Sequence, residues 1–247
     1  LAPGLPLTLF ERVCESLENQ LGIPVSLESR TKLSGPAIGN ANPFADNQAD
    51  LGFLCGPAAV PVSVREHAGF ELLGFAPLFD DPRYEGKPTC FCDLVVRPDE
   101  TGTKLDDFRT KTFGFNDQSS LSGWLGLSSE LNKAGHRIED FFGSIIQTGG
   151  HLSSLQALKD RRIDVASIDS NVLCTQPNLL NGLKVAASIG PWPSQPVVIR
   201  STLPKIMTHR IQEAITECGP WPDIAFVGFR PQAEADLQPV PTVPKTS

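Results

Sequence analysis

The chain has 247 residues, 40% of them hydrophobic and 20% charged, with a formal net charge of −7. That length suits one large or two modest domains with a real core, and the acidic balance excludes a general nucleic-acid binder, which would present a basic face. No stretch approaches the ~20 apolar residues of a membrane span, but a small anion stays within reach, because local dipoles rather than net charge hold such ligands. No signal peptide is present, as would hold for a mature or trimmed chain.

In chain order, Phe10, Val13, Leu17 and Leu21 recur at helical spacing and predict a helix over Leu7–Leu21, stopped by Gly22. Ile23–Leu27 reads as a strand, and Ser34–Asn47, rich in Gly, Pro, Asn and Ala, as a loop. Asp50–Pro57 is a near-continuous apolar run, which suits a parallel strand covered on both faces. Phe70–Pro77 and Thr89–Arg97 read as strands around a polar connection, and Thr103–Arg109 as a short helix. The six cysteines, Cys14, Cys55, Cys90, Cys92, Cys174 and Cys218, form no CxxC pair and have no His-rich partner motif. A zinc site is therefore not expected. Cys90 and Cys92 share one face of a strand, a placement that rarely meets disulfide geometry. Free thiols are expected, which fits a reducing compartment better than an oxidising one.

The middle of the chain carries the chemistry. Thr112–Phe115 reads as a strand, Asn116–Gly123 as a Ser-rich turn, and Trp124–Leu131 as the start of a helix ending near Gly135. The first N–H groups of a helix lack intrahelical partners and, with the helix dipole, form a site for an anion. Ser119, Ser120 and Ser122 add hydroxyl donors; taken alone, a serine there is most often a plain N-cap. Ile145–Gln147, the turn Thr148–His151 and a helix with Leu152, Leu155 and Leu158 repeat the pattern. So do the strand Asp164–Ile168 and the helix start at Asp169-Ser170. Leu183–Ile189 reads as a strand broken by Gly190–Pro193, followed by a strand over Pro196–Arg200, a helix over Lys205–Cys218 and, beyond Arg230, a polar stretch with the extended tail Pro239–Pro244.

Strands alternate with helices, so the expected class is α/β with parallel sheets. In such sheets helix N-termini gather at the carboxyl ends of the strands, where ligands sit. Three successive junctions would then face one crevice, with hydroxyls of Ser120, Ser122 and Ser153 and a ring N–H of His151. Asp169 differs, because an ionised carboxylate accepts but cannot donate. It tolerates an anion only if the ligand presents a proton or an ammonium group, as phosphate monoanion, phosphite or an aminoalkylphosphonate does and sulfate does not.

The stretches Ala2–Pro6, Asp50–Gly56, Asp93–Arg97, Asn116-Asp117 with Ser119–Gly123, Gly150–Ser154, Asp164–Ser170, and Ser188–Pro191 with Gln195-Pro196 together resemble the periplasmic phosphate/phosphite/phosphonate-binding proteins of ABC importers, from Ala2 to about Arg230. The resemblance implies a two-lobed type II periplasmic-binding-protein fold, with mostly parallel sheets, flanking helices and a hinge of two crossing strands. Lobe one would comprise residues 1–95 and 195–247, and lobe two residues 96–194. It implies that residues matching Ser120, Ser122 and His151 hold ligand oxygens and that Asp169 takes the ligand's proton or amine; Ser119 and Ser153 join the expected ligand-binding set as further hydroxyl donors at the junctions. Where relatives place lobe-one tyrosines, this chain has Leu54, Cys55, Cys90 and Phe91, so Cys55 joins the expected ligand-binding set. The family's first lobe-one strand would precede Ala2, leaving that sheet with an unfilled position. The expected function is a non-enzymatic solute-binding protein for a small phosphorus oxyanion, without metal or cofactor, serving an ABC permease by closure of its lobes. The expected location is periplasmic, with the cytosol as the alternative that free cysteines leave open. Two further readings stand beside it: a sensor or scaffold that kept the fold and lost transport, and an enzyme, against which the absence of a G-x-S-x-G elbow argues.

Overall fold

In a computed structural model of the chain, residues 4–28, 42–57, 59, 69–237 and 240–241 are described. The expected loop over Ser34–Asn47 lies partly, and the tail Pro239–Pro244 mostly, outside them. The chain divides into two compact units, one drawn from Leu1–Thr89 and Pro193–Pro239, the other from Cys90–Trp192 and the segment beginning at Val240. The first crossing therefore falls at 89/90 rather than 95/96, because the strand that follows belongs almost wholly to the second unit's sheet. The second falls at 192/193, close to the expected 194/195, and buried Val240 groups with the second unit, not the first.

In the first unit, helix α1 (Leu7–Leu21) buries Leu9, Phe10, Val13, Leu17 and Leu21. Gly22 ends it in the left-handed region (φ 68°), donating to the Glu18 carbonyl, the conformation that favours glycine at a helix end. The helix lies against α6 (Lys205–Thr216), whose Arg210 donates to the Leu21 carbonyl. The following residues 23–28 form no strand, contrary to expectation. Extended backbone becomes a strand only with a ladder, and the Val25 N–H instead donates to the Glu18 carboxylate at 3.0 Å. Strands β1 (Leu51–Phe53) and β2 (Phe70–Leu72) flank β9 (Val197–Arg200), both antiparallel to it. The run around Leu51 is thus a short antiparallel edge strand rather than a parallel one, because its partner arrives late in the chain. Beside it lies a cavity of about 340 Å³ lined by Phe10, Val13, Leu17, Val25 and Phe53. The apolar run after Phe70 is two strands, not one: Leu73-Gly74 separates β2 from β3 (Phe75–Phe79), which pairs antiparallel with β10 (Phe226–Pro231).

The second unit is built on a five-stranded sheet. Its members are β4 (Thr89–Val96), β5 (Thr112–Phe115), β6 (Ser144–Gln147), β7 (Val165–Asp169) and β8 (Lys184–Pro193), in the order β6-β5-β7-β4-β8. β5 runs parallel to β6 and β7, and β4 antiparallel to β7. Helices α2 (Gly126–Lys133), α3 (Ile138–Phe141), α4 (His151–Lys159) and α5 (Ser170–Thr175) connect the strands. Leu155 and Leu158 of α4 pack with Val95, Ile163, Ala166 and Ile168 in the core. The expected break at Gly190–Pro193 does not occur: β8 runs through Pro193. β8 is an edge strand of this sheet, the place in a sheet where proline is tolerated.

Candidate functional site

Three parallel neighbours, β6, β5 and β7, end on the same side of the second unit's sheet, and each leads into a helix. This shared polarity brings residues far apart in sequence to one place. The first junction follows β5. Asn116 and Asp117 are buried; the Asp117 carboxylate accepts from the Ser119 N–H at 2.9 Å and from the Ser119 hydroxyl. Ser120 is the cap of a π-helical turn, Leu121–Leu125, its hydroxyl oxygen accepting from the Gly123 N–H at 3.1 Å. The helical stretch thus begins before Trp124, and α2 continues it. Trp124 anchors the turn on Phe115, with ring centroids 4.5 Å apart.

The second junction follows β6. Gly150 precedes α4, and His151 is its first residue, 4% exposed. Ser153 on the same helix is exposed, whereas Ser154 is buried and bonds Thr148 through the two hydroxyls. The third junction ends β7. Asp169 is buried, and one carboxylate oxygen caps α5 by accepting from the Asn171 N–H at 2.9 Å.

The three meet at one hydroxyl. Ser122 Oγ lies 3.3 Å from His151 Nε2 and 3.5 Å from Asp169 Oδ2. Ser122 is itself buried, and its carbonyl accepts from the Ser167 hydroxyl. Burial holds the His151 ring far below its ordinary value, at about 4, against the opposing pull of Asp117. The ring is therefore neutral at pH 7. Two atoms of this neighbourhood, His151 Nδ1 and Asn116 Oδ1, are buried without a hydrogen-bond partner. A buried polar atom left unpaired is costly.

Of the residues singled out from the sequence, Ser122, His151 and Asp169 come within bonding distance. Ser120 lies in the same turn with its oxygen engaged as a cap. Ser119 points its hydroxyl at Asp117, and Ser153 lies on the exposed side of α4. Cys55 belongs to the other unit, buried, with its carbonyl accepting from the Ala59 N–H. Asn116, Asp117 and Ser167 lie beside these residues; in the sequence Asn116 and Asp117 read as part of the turn and of the resemblance, without a site role of their own. Among the described residues no cluster of His, Cys, Asp or Glu could hold a metal ion, and no helix is long and apolar enough to cross a membrane. None of the six cysteines forms a disulfide.

The profile of a family described as "ABC transporter, phosphonate, periplasmic substrate-binding protein" matches residues 7–236. No curated protein sequence matches the chain. Among solved structures, a binding-protein component of an ABC phosphonate transporter from Pseudomonas aeruginosa is 19% identical with a TM-score of 0.73, over 94% of this chain and 78% of that one. PhnD1 from Prochlorococcus marinus, solved with methylphosphonate, is 16% identical with a TM-score of 0.74, over 94% and 89%. A Xanthomonas citri protein solved with ATP is 16% identical with a TM-score of 0.61, over 96% and 93%. These likenesses show the type II periplasmic-binding-protein fold. With the match spanning nearly its whole length, the chain belongs to the family of periplasmic substrate-binding proteins of ABC phosphonate transporters.

Proposed function

We propose that the chain binds a small phosphorus oxyanion (phosphate, phosphite or a phosphonate) at the three junctions of its second unit, as a non-enzymatic solute-binding protein that serves an ABC permease outside the cytoplasm. The observation that carries this reading is the convergence of Ser122, His151 and Asp169 from three separate strand–helix junctions onto one buried hydroxyl. The start of α4 and the turn at Ser120 add N–H groups without intrahelical partners. Methylphosphonate in the Prochlorococcus relative and the family's periplasmic character agree with it, and the latter favours the extracytoplasmic place over the cytosolic one.

Calorimetry of the ligand-free protein with phosphate, phosphite, methylphosphonate and 2-aminoethylphosphonate tests the reading. Binding of at least one is expected, and no heat with any of them in folded protein refutes it. Asp169 is assigned the ligand's proton or amine. Asp169→Asn is therefore expected to weaken a protonated ligand about tenfold or more, on the scale of a charge-assisted hydrogen bond, and to relax the rejection of sulfate. Unchanged selectivity would remove Asp169 from the site.

A further inference from the structure

The hydrogens at the meeting point do not suffice for a guest. Ser122 has one hydroxyl hydrogen, and two acceptors stand beside it, the His151 ring and the Asp169 carboxylate. If Nε2 of the neutral ring is bare, it competes with Asp169 for that hydrogen. If Nε2 carries the ring hydrogen, it donates to Ser122, and Ser122 donates on to Asp169. In both arrangements the hydroxyl already has an acceptor. The hydrogen that a protonated oxyanion carries is the one assigned to Asp169; its other oxygens add acceptors and no donor, and neighbouring acceptors without a shared hydrogen repel. The one ring nitrogen without a protein partner, Nδ1, is buried.

We infer that His151 takes up a proton from solvent as an oxyanion binds, so that the site captures a dianion together with one hydrogen ion. This rests on the oxyanion-binding reading above. The proton goes to whichever ring nitrogen is bare, giving an imidazolium with two N–H donors. Nε2–H is then free for Ser122 or the ligand, and the Ser122 hydroxyl can turn to the guest. The charged groups that approach His151 from the elements packed on α4 are Asp117 after β5 and Asp169 at the end of β7. Asp117 favours the imidazolium, and Asp169 reaches the ring's surroundings through the Ser122 hydroxyl they share. On α4 itself the nearest cation, Lys159, sits at the opposite end. Desolvation of the ring outweighs Asp117; a bound dianion supplies further counter-charge in the same dry surroundings.

The chain has four histidines, so the His151 ring is separable by nitrogen-15 NMR. The experiment titrates the protein with inorganic phosphate at pH 7 and follows the ring nitrogens. The expected result is a change of His151 from the neutral to the imidazolium pattern as phosphate saturates the site. Calorimetry in two buffers of different ionisation heat is expected to count uptake of about one proton per phosphate dianion, falling to near zero in His151→Gln. By linkage the affinity for the dianion tightens about tenfold for each pH unit lowered. Phosphate bound with a neutral His151 overturns this inference and leaves the binding reading standing, because the proton then rides on the ligand. No phosphate binding at all, with the other oxyanions also silent, removes both.

Discussion

At His151 burial and charge pull in opposite directions, and burial wins. The ring titrates at about 4 in the folded protein, against an ordinary value of 6.5. Above 6.5 it is neutral in both folded and unfolded chains and adds no pH dependence. Between 6.5 and about 4 the unfolded chain binds the proton and the folded one resists it, so stability falls as pH falls. The loss reaches on the order of 3 kcal/mol below pH 4. Urea titrations at pH 7, 5.5 and 4.5 check this; His151→Gln is expected to flatten that part of the profile, and an unchanged slope would place the acid sensitivity elsewhere. Ser122 is the other pivotal residue. Ser122→Ala leaves two acceptors without their shared hydrogen and removes a donor to the guest. Phosphate affinity is expected to fall about tenfold, the scale of one hydrogen bond, read by calorimetry. The residue types at these positions are legible in the sequence, since hydroxyls, a histidine and a carboxylate each precede or open a helix. That they meet at one oxygen is not, because it follows from three strands lying parallel in the order β6-β5-β7. The part played by Asp117 was hidden for the same reason. Its spacing to Ser119 announces a turn, while its influence on His151 exists only across the sheet.

Two glycines stand at the heads of the site's helical segments, and they are not equivalent. A methyl group on Gly123 would sit 1.7 Å from the Asn116 side-chain oxygen, so that side chain covers the glycine's α-carbon. A methyl group on Gly150 would meet nothing nearer than the Ser153 hydroxyl at 3.7 Å, and the backbone there is extended (φ −177°). Gly123→Ala is expected to cost about 1–3 kcal/mol of stability, the usual scale of overpacking, and to weaken phosphate binding; Gly150→Ala is expected to be near neutral. Thermal unfolding of the two variants side by side checks the contrast. At this scale the sequence was most readable where a pattern is local. The spacing of Phe10, Val13, Leu17 and Leu21 with Gly22 defines α1 to the residue, and Thr112–Phe115 defines β5. It was least readable where a partner decides. Ile23–Leu27 has strand chemistry and no ladder. Gly190–Pro193 has breaker chemistry, and lies on an edge that tolerates it. β10 is short and ends in Arg230-Pro231, and its pairing with β3 makes it a strand.

The two units differ in how the chain supplies them. The second takes nearly all its described residues from one continuous run, Cys90–Trp192, whereas the first needs both ends of the chain. A chain cut after Trp192 is therefore expected to keep slow amide exchange in β4 to β7 and to lose it in β1, β2 and β3. Hydrogen exchange read by mass spectrometry distinguishes this from uniform fast exchange, which would show that the second unit cannot stand without the first. The α/β alternation was legible at this scale, because periodicity switches are local, but the crossing at 89/90 was not, since it depends on β4 joining a sheet whose other members follow it.

The discontinuity of the first unit also sets a timetable during synthesis. β1, β2 and β3 leave the ribosome early, but the strands they bond to, β9 and β10, are translated only after the Cys90–Trp192 run of the second unit. For that interval the nascent N-terminal segment trails unpaired apolar strands, the kind of surface that aggregates or recruits holding chaperones. Slow translation of the middle of the message would lengthen its exposure.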